Sequence, residues 1–328
     1  MTLTDPPTSV GLPVGLALED WTGDARFHEY TRAANPVGRS TSLVPVEQFP
    51  ASLHHNVPTG IVALDLSAPL AIDGGPATSP ALLASFVTVR AGDELATAPV
   101  ATSEIYVVLA GEGTTTVDCT SVGGDTHDTT SVAWATGDVI ALPGLCRSTH
   151  RASADATLYW VTDEPLLRYL GVAPTEPRLR PTLFTAARCT EELARVAADP
   201  AAERRNRVSV LLNNAEQDQT LTATHVLWAM VGLLPVDAVQ KPHRHQSVAL
   251  DLILDCEPGC YTRVGPRLSD DGEILDARRV DWEPGGAFVT PPGWWHSHHN
   301  ESGAPARLLP VQDAGLHTYL RTLDIRFS

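Results

Sequence analysis

Positive charge is scarce in this 328-residue chain: Lys241 is its only lysine, and 23 basic residues face 39 acidic ones, a formal net charge of −16. Repulsion on that scale opposes approach to nucleic acid or to an anionic membrane surface, while a small ligand answers only to local charge. The missing lysines read first as a coding bias. No window is long and apolar enough to span a bilayer. Met1–Asp20 carries neither a basic n-region nor an apolar run of signal length, so a cytoplasmic location is expected. The five cysteines (Cys119, Cys146, Cys189, Cys256, Cys260) show no CxxC spacing, and Cys256 and Cys260, beside an expected hairpin turn, give no basis for a bridge. An odd, scattered set in a chain of this length fits reduced thiols.

What the chain does have is apolar residues (43%) in short runs, punctuated by 24 glycines and 26 prolines. Runs of 4–8 residues between Gly, Pro and Asp turns read as antiparallel strands. The same pattern occurs twice. GDELATAPVATSEIYVVLAG (92–111) aligns with DAVQKPHRHQSVALDLILDC (237–256) at an offset of 145 residues. Trp134, Gly137 and Pro143 align with Trp282, Gly285 and Pro291 at 148, and DEPLLRYL (163–170) aligns with DAGLHTYL (313–320) at 150. An offset that grows only across loops is the mark of a duplicated domain. The segment 185–205 has helical spacing, with Leu193 and Val196 apolar. Four parts are therefore expected: an N-terminal arm (1–60) packed on the first barrel, a first β domain (61–172), a helical linker (173–206) and a second β domain (207–328).

In the second copy, His243 and His245 alternate along a predicted strand and so face the same side. His296 follows the Pro291–Pro292–Gly293 turn, which can bring a third imidazole in from a neighbouring strand. Three neutral imidazoles with open positions suit a divalent first-row metal that must also bind substrate. The alternative, core histidines that happen to alternate, leaves the spacing of the third unexplained. The first copy has Ala98 and Val100 at the first two positions and Ser148 at the third, so it should hold no metal; His150, two residues on, reads as incidental.

These residues resemble the two motifs of the cupin superfamily. Gly285, Pro291, Gly293 and His296 fit the second motif without a gap, and His243 and His245 supply the His-x-His of the first, with Asp237 where its leading Gly belongs. The resemblance implies an all-β bicupin, two jelly-roll barrels joined by the helical linker. Within the superfamily, HRHQSVALDL (243–252) and VTPPGWWHSHHNE (289–301) resemble the gentisate 1,2-dioxygenase group, which includes salicylate and 1-hydroxy-2-naphthoate dioxygenases. The match at motif level covers about the C-terminal third of the chain. It implies an oxidoreductase of aromatic catabolism, in which Fe(II) on His243, His245 and His296 brings a small hydroxylated aromatic substrate and O2 together for ring cleavage. Manganese, nickel or zinc are the alternative metals, and a homo-oligomer is expected by analogy.

Around these ligands, His298 shares the parity of His296, so it reads either as an acid/base facing the cavity or as a solvated loop histidine. Trp294 and Trp295 read as pocket walls or as core, and Arg244 should point away from the metal. One residue departs from the group: Asp251 stands where its members carry an arginine thought to hold the substrate carboxylate. An aspartate on the cavity side would repel a carboxylate unless another arginine intervenes, with Arg26, Arg39 and Arg263 as candidates. Two other readings stay open. Asp251 could be the general base of a metal-dependent isomerase, lyase or hydrolase, or the protein could be a non-catalytic small-molecule-binding bicupin.

Overall fold

The computed structural model describes residues 23–120, 127–200 and 207–328, so residues 1–22 of the expected arm and 201–206 of the expected linker lie outside the described residues. The chain divides into two compact units, 1–41 and 42–328. In the first, the Glu29 carboxylate accepts from the N–H groups of Thr31 and Arg32 and so caps the one-turn helix Tyr30–Ala33. Arg26 and Arg39 donate to carbonyls of that same segment.

The second unit carries the sheets. Its first strands are β1 (Gln48–Phe49), β2 (Gly60–Ala63), β3 (Leu83–Val89), β4 (Glu94–Thr97), β5 (Ser103–Ala110) and β6 (Glu112–Thr120). There follow β7 (His127–Ala135), β8 (Val139–Pro143), β9 (Cys146–Ala152), β10 (Ala156–Thr162) and β11 (Thr182–Phe184). The second repeat holds β12 (Val208–Leu212), β13 (Trp228–Leu234), β14 (Val239–Arg244), β15 (Ala249–Asp255) and β16 (Cys260–Gly265). After the two-residue strands β17 (Arg267–Leu268) and β18 (Ile274–Leu275) come β19 (Arg278–Asp281), β20 (Ala287–Thr290), β21 (Trp295–Asn300), β22 (Ala306–Gln312) and β23 (Arg326–Phe327).

These strands form two sandwiches that match strand for strand. The six-stranded sheet β11-β8-β5-β10-β3-β2 of the first corresponds to β1-β20-β15-β22-β13-β12 of the second. The smaller sheet β4-β9-β6-β7 corresponds to β14-β21-β16-β19, with β23 added at the β14 edge. The duplication read from the sequence is thus a duplication of topology. Even its irregular position has a backbone cause: Asp237, where the motif wants Gly, holds φ +55°, as Gly92 holds φ +85° in the first copy. Aspartate tolerates the left-handed region better than most residues.

The two six-stranded sheets pack against each other. Phe86, Ile105, Val107, Tyr159 and Val161 from one meet Leu250, Leu252, Val289, Leu309 and Val311 from the other in one core. The opposite faces line two further cores, one around Tyr106, Trp134 and Trp160 and one around Ile253, Trp282 and Phe288. The expected linker helix is Ala186–Ala197, capped by Thr185, whose side chain accepts from Arg188 N–H; it buries Cys189 and Leu193. In the segment read as an arm on the first barrel, β1 instead pairs with β20 of the second sandwich.

The cysteine reading needs one correction. Cys119 and Cys146 are disulfide-bonded, with Cα atoms 4.2 Å apart, while Cys189, Cys256 and Cys260 are free. The two bonded residues lie 27 apart in sequence, but β6 and β9 place them directly opposite each other. Register, which spacing does not disclose, makes the pair, and it removes the argument for a reducing compartment. Among the described residues, no helix is long and apolar enough to cross a membrane. Thiol titration of the unfolded, unreduced protein should find three free thiols, and five after reduction; five without reduction would disprove the bond.

Candidate metal centre and active site

Strands β14 and β21 are adjacent, and their register puts His243 directly opposite His296 and Gln240 opposite His298. The ring centroids of His243 and His296 are 3.9 Å apart, those of His245 and His296 5.0 Å, and those of His296 and His298 5.7 Å. All four imidazoles are buried. The turn before His296 is tied to the first histidine pair, because Gly293 N–H donates to the His245 carbonyl at 2.7 Å.

The rings share one orienting device. Nδ1 of His243 faces the Lys241 carbonyl (3.3 Å), Nδ1 of His245 the Ser247 carbonyl (2.9 Å) and Nδ1 of His296 the Trp294 carbonyl (3.2 Å). A main-chain carbonyl can only accept, so each Nδ1 is the protonated nitrogen and each Nε2 keeps its lone pair. Burial reinforces this by disfavouring the imidazolium: His243, His296 and His298 are held well below the usual range, and His245 is lowered to about 4. The donor set fits a divalent transition metal. The three nitrogens that converge within 4.8 Å belong to His243, His296 and His298. His245 stands beside that group.

His298 is held differently. Its Nδ1 lies 2.8 Å from Thr262 Oγ1, which in turn accepts from Trp282 Nε1 at 2.8 Å. The first sandwich repeats this chain: His150 Nδ1 lies 2.8 Å from Thr115 Oγ1, which accepts from Trp134 Nε1 at 2.8 Å. His150 is therefore the counterpart of His298 and fully buried, not an incidental residue. A second correction follows from register. Thr97, not Ala98, lies opposite Ser148, as His243 lies opposite His296. An irregularity in β14 between Gln240 and His243 shifts the alignment by one. Ala98 and Val100 are exposed.

The interior of the first sandwich is filled by side chains. Glu104 Oε2 accepts from Tyr106 O–H (2.8 Å) and Trp160 N–H (3.0 Å), and Thr97 Oγ1 links Tyr106 to His150. Through the offsets of 145 and 150, Glu104, Tyr106 and Trp160 correspond to Ala249, Asp251 and Pro310. Those smaller residues leave room. A cavity of about 260 Å³ lies between the two sheets of the second sandwich, lined by His245, His296, His298, Gln240, Asp251, Gln312 and Met230, among others.

Arg207 also lines this cavity, and the sequence reading missed it. Its guanidinium meets Met230 Sδ at 3.1 Å and Nε2 of His243. Burial lowers its pKa to about 10, against the pull of Asp251. Asp251 is buried and receives a hydrogen bond from Thr290 Oγ1 at 2.7 Å; burial pushes its carboxyl up to about 7, countered by that bond and by Arg207. Arg207 is thus the cation electrostatically coupled to Asp251. Arg263 instead pairs with Glu273 at 3.1 Å, near the surface. Trp295 is not among the cavity residues: its ring carries the Arg244 guanidinium, 5.5 Å from the centroid, so Arg244 does turn from the imidazoles. Trp294 packs on the core. Trp228 has the parity of Met230 and Gly232, with its indole N–H buried and unpartnered.

Comparison with solved structures decides the architecture. A salicylate 1,2-dioxygenase from Pseudaminobacter salicylatoxidans superposes with a TM-score of 0.68 over 98% of this chain and 99% of its own, at 14% identity. The fold is that of a bicupin. In sequence, this bicupin is 30% identical over 102 residues to a 5-aminosalicylate 1,2-dioxygenase of Comamonas sp., covering 31% of the chain and 24% of the relative. It is 26% identical over 157 residues to a 1-hydroxy-2-naphthoate 1,2-dioxygenase of Nocardioides sp. (strain KP7), covering 48% and 38%. The matched stretches thus span well under two thirds of these relatives' length. No family model matches the chain. The resemblance to the gentisate and salicylate dioxygenase group, read from motifs, extends to the fold.

Glu104 gives the filled barrel a measurable signature. Burial raises its carboxyl from 4.5 to about 8, so the native state keeps a proton that the unfolded chain releases between those values. Its contribution to stability is complete below 4.5 and is lost as pH rises through about 8. Glu104→Gln, which keeps an acceptor for both donors, should melt near the unmutated protein at about pH 5 and several degrees above it at about pH 9. Equal differences at the two pH values in thermal melts would contradict the assignment.

Proposed function

We propose that this bicupin is an Fe(II)-dependent ring-cleaving dioxygenase acting on a hydroxylated aromatic acid, with the metal on His243, His245 and His296. The observation that carries the reading is a set of buried, neutral imidazoles on the wall of a cavity that also holds a buried arginine. The relatives' dioxygenase chemistry supports it. Bound iron supplies the redox centre and Lewis acid that cleavage by O2 requires. The choice of His245 over His298 as third ligand rests on the Trp–Thr–His chain. That chain persists around His150, in a barrel whose other metal positions are Thr97 and Ser148, so it belongs to the barrel rather than to the metal.

The protein's own groups then have distinct tasks. Arg207 anchors the substrate carboxylate by charge-assisted hydrogen bonds in a site of low dielectric. It thereby fixes the ring against the imidazole wall and supplies the proximity that the reaction needs. His298, held at Nδ1 by Thr262, presents Nε2 to the cavity and exchanges a proton with the substrate hydroxyl. The apolar side chains Met230, Leu234 and Leu308 keep bulk water off the ring. A metal-dependent hydrolase or isomerase is the second reading, favoured by one fact: Asp251 lines the cavity with its carboxyl raised to about 7, a suitable base.

Metal analysis with O2 uptake separates these readings, since only a dioxygenase consumes O2 with its substrate. Purified protein should carry about one divalent metal per chain. His243→Ala, His245→Ala and His296→Ala should each lose it, whereas His298→Ala should keep the metal and lose turnover. Full metal retention in His296→Ala would falsify the site as drawn. Arg207→Met should weaken binding of an aromatic carboxylate about 10-fold to 100-fold while leaving metal content intact. Unchanged affinity would remove Arg207 from the substrate site.

A further inference from the structure

His245 is held by more than a carbonyl. Its Nδ1 lies 2.9 Å from the Ser247 carbonyl and 3.0 Å from Ser247 Oγ, and that hydroxyl lies 2.8 Å from Oε1 of Gln312. The proton directions along this chain follow from its first member. Nδ1 carries a proton because the carbonyl can only accept, so toward Ser247 the ring donates. The Ser247 hydroxyl proton then goes to the carboxamide oxygen of Gln312. The opposite placing of the amide would turn N–H groups toward Ser247 and leave that hydroxyl proton without an acceptor.

The chain ends on the cavity. Gln312 is only 2% exposed, and it lines the cavity wall. Among the described residues, nothing accepts from its Nε2, so two N–H donors are left to whatever occupies the space. Buried donors without acceptors are costly, and a ligand oxygen would satisfy them. The first sandwich uses the same positions otherwise. Through the offsets of 145 and 150, Ser247 and Gln312 correspond to Thr102 and Thr162. Gln312 lies opposite Ala249 as Thr162 lies opposite Glu104. There the Thr102 hydroxyl donates to Asp163, and Thr162 Oγ1 is buried with no partner among the described residues. In the second sandwich Asp313, the counterpart of Asp163, accepts from Val248 N–H, and the Ser247 hydroxyl turns to Gln312 instead. The chain from His245 to Gln312 is absent from the sandwich without the histidine pair, so the fold itself does not require it.

We propose that Gln312 is a substrate-binding residue whose Nε2 donates to the hydroxyl oxygen of the aromatic ring, and that Ser247 positions it. Arg207 serves the carboxylate with charge; a neutral amide suits the hydroxyl oxygen, whose proton passes to His298. As that oxygen loses its proton, two N–H donors already aimed at it stabilise the charge that develops. Because the chain begins on His245, one set of bonds orients both a metal ligand and the donor for the ring oxygen. The inference rests on the ring-cleaving reading above and deepens it by naming the group that recognises the hydroxyl.

The test uses metal-loaded full-length protein under anaerobic conditions, titrated calorimetrically with two matched pairs of acids. Salicylate is set beside benzoate, and 1-hydroxy-2-naphthoate beside 2-naphthoate; O2 uptake is then measured with the hydroxylated members. In the unmutated protein at least one hydroxylated acid should bind about tenfold or more tighter than its parent acid. In Gln312→Met, close to the native shape, that ratio should shrink about tenfold, with the parent acid bound as before and metal content unchanged. Ser247→Ala, which leaves His245 Nδ1 its carbonyl, should shrink the ratio about threefold, and it decides alone if the methionine variant fails to fold. A ratio that survives Gln312→Met, with O2 uptake intact, would overturn this inference and leave ring cleavage standing. Equal weakening of the parent acid would do the same, because the amide would then serve the carboxylate. Failure of both hydroxylated acids to bind or to drive O2 uptake, at full metal loading, would overturn the ring-cleaving reading and this inference with it.

Discussion

The long strands of the six-stranded sheets are buried on both faces: all seven residues of β3 and the first six of β5 lie inside, as do the first five of β15. Alternation then divides each strand between two interiors. In β15, Leu250 and Leu252 belong to the core shared by the sandwiches, whereas Asp251 and Ile253 face the inside of their own. The shared core cannot give up its apolar half without parting the sheets, so whatever differs between the repeats must be written on the other half. That division is how the two repeats share one fold while their interiors differ.

The interiors have diverged in opposite directions. One is closed by stacked rings, Tyr106 and Trp160, 5.5 Å apart and nearly parallel, over a continuous chain of hydrogen bonds. The other exchanges bulk for space and places ionisable groups around it. The Trp–Thr–His chain common to both indicates which polar contacts the barrel needs for itself, and by subtraction which ones serve chemistry.

Much of this was legible in the sequence because it was local. His243 lies in β14 and His245 one residue past its end, and His296 follows a turn of fixed chemistry, so spacing alone brings them near one another. The internal repeat was legible because turn residues and apolar runs recur at nearly constant offset. What escaped was set by register and reach. Thr97 stands in for a histidine because of an irregularity in the opposite repeat, and Cys119 meets Cys146 because two ladders align. Arg207 lies just before β12, 36 residues before His243, and its guanidinium reaches Nε2 of that histidine. No periodicity marks such a residue. Asp251 was legible as an anomaly, and its buried carboxyl lies in the field of Arg207.

The edge strands carry a consequence for how the molecule is made. β8 is covered by β11, which follows the first sandwich, but the equivalent edge of β20 is covered by β1, which precedes it. Gln48 finds Phe288 some 240 positions further along, and His54 and Ala51 anchor the same crossing on Gly285 and Glu283. On the ribosome, β1 emerges well before its partner β20 and is thus late to dock. It must wait until the second sandwich has emerged, and its docking closes that sandwich's open edge. The second half cut free of the first would lose that closing strand and expose a pairing edge to other chains.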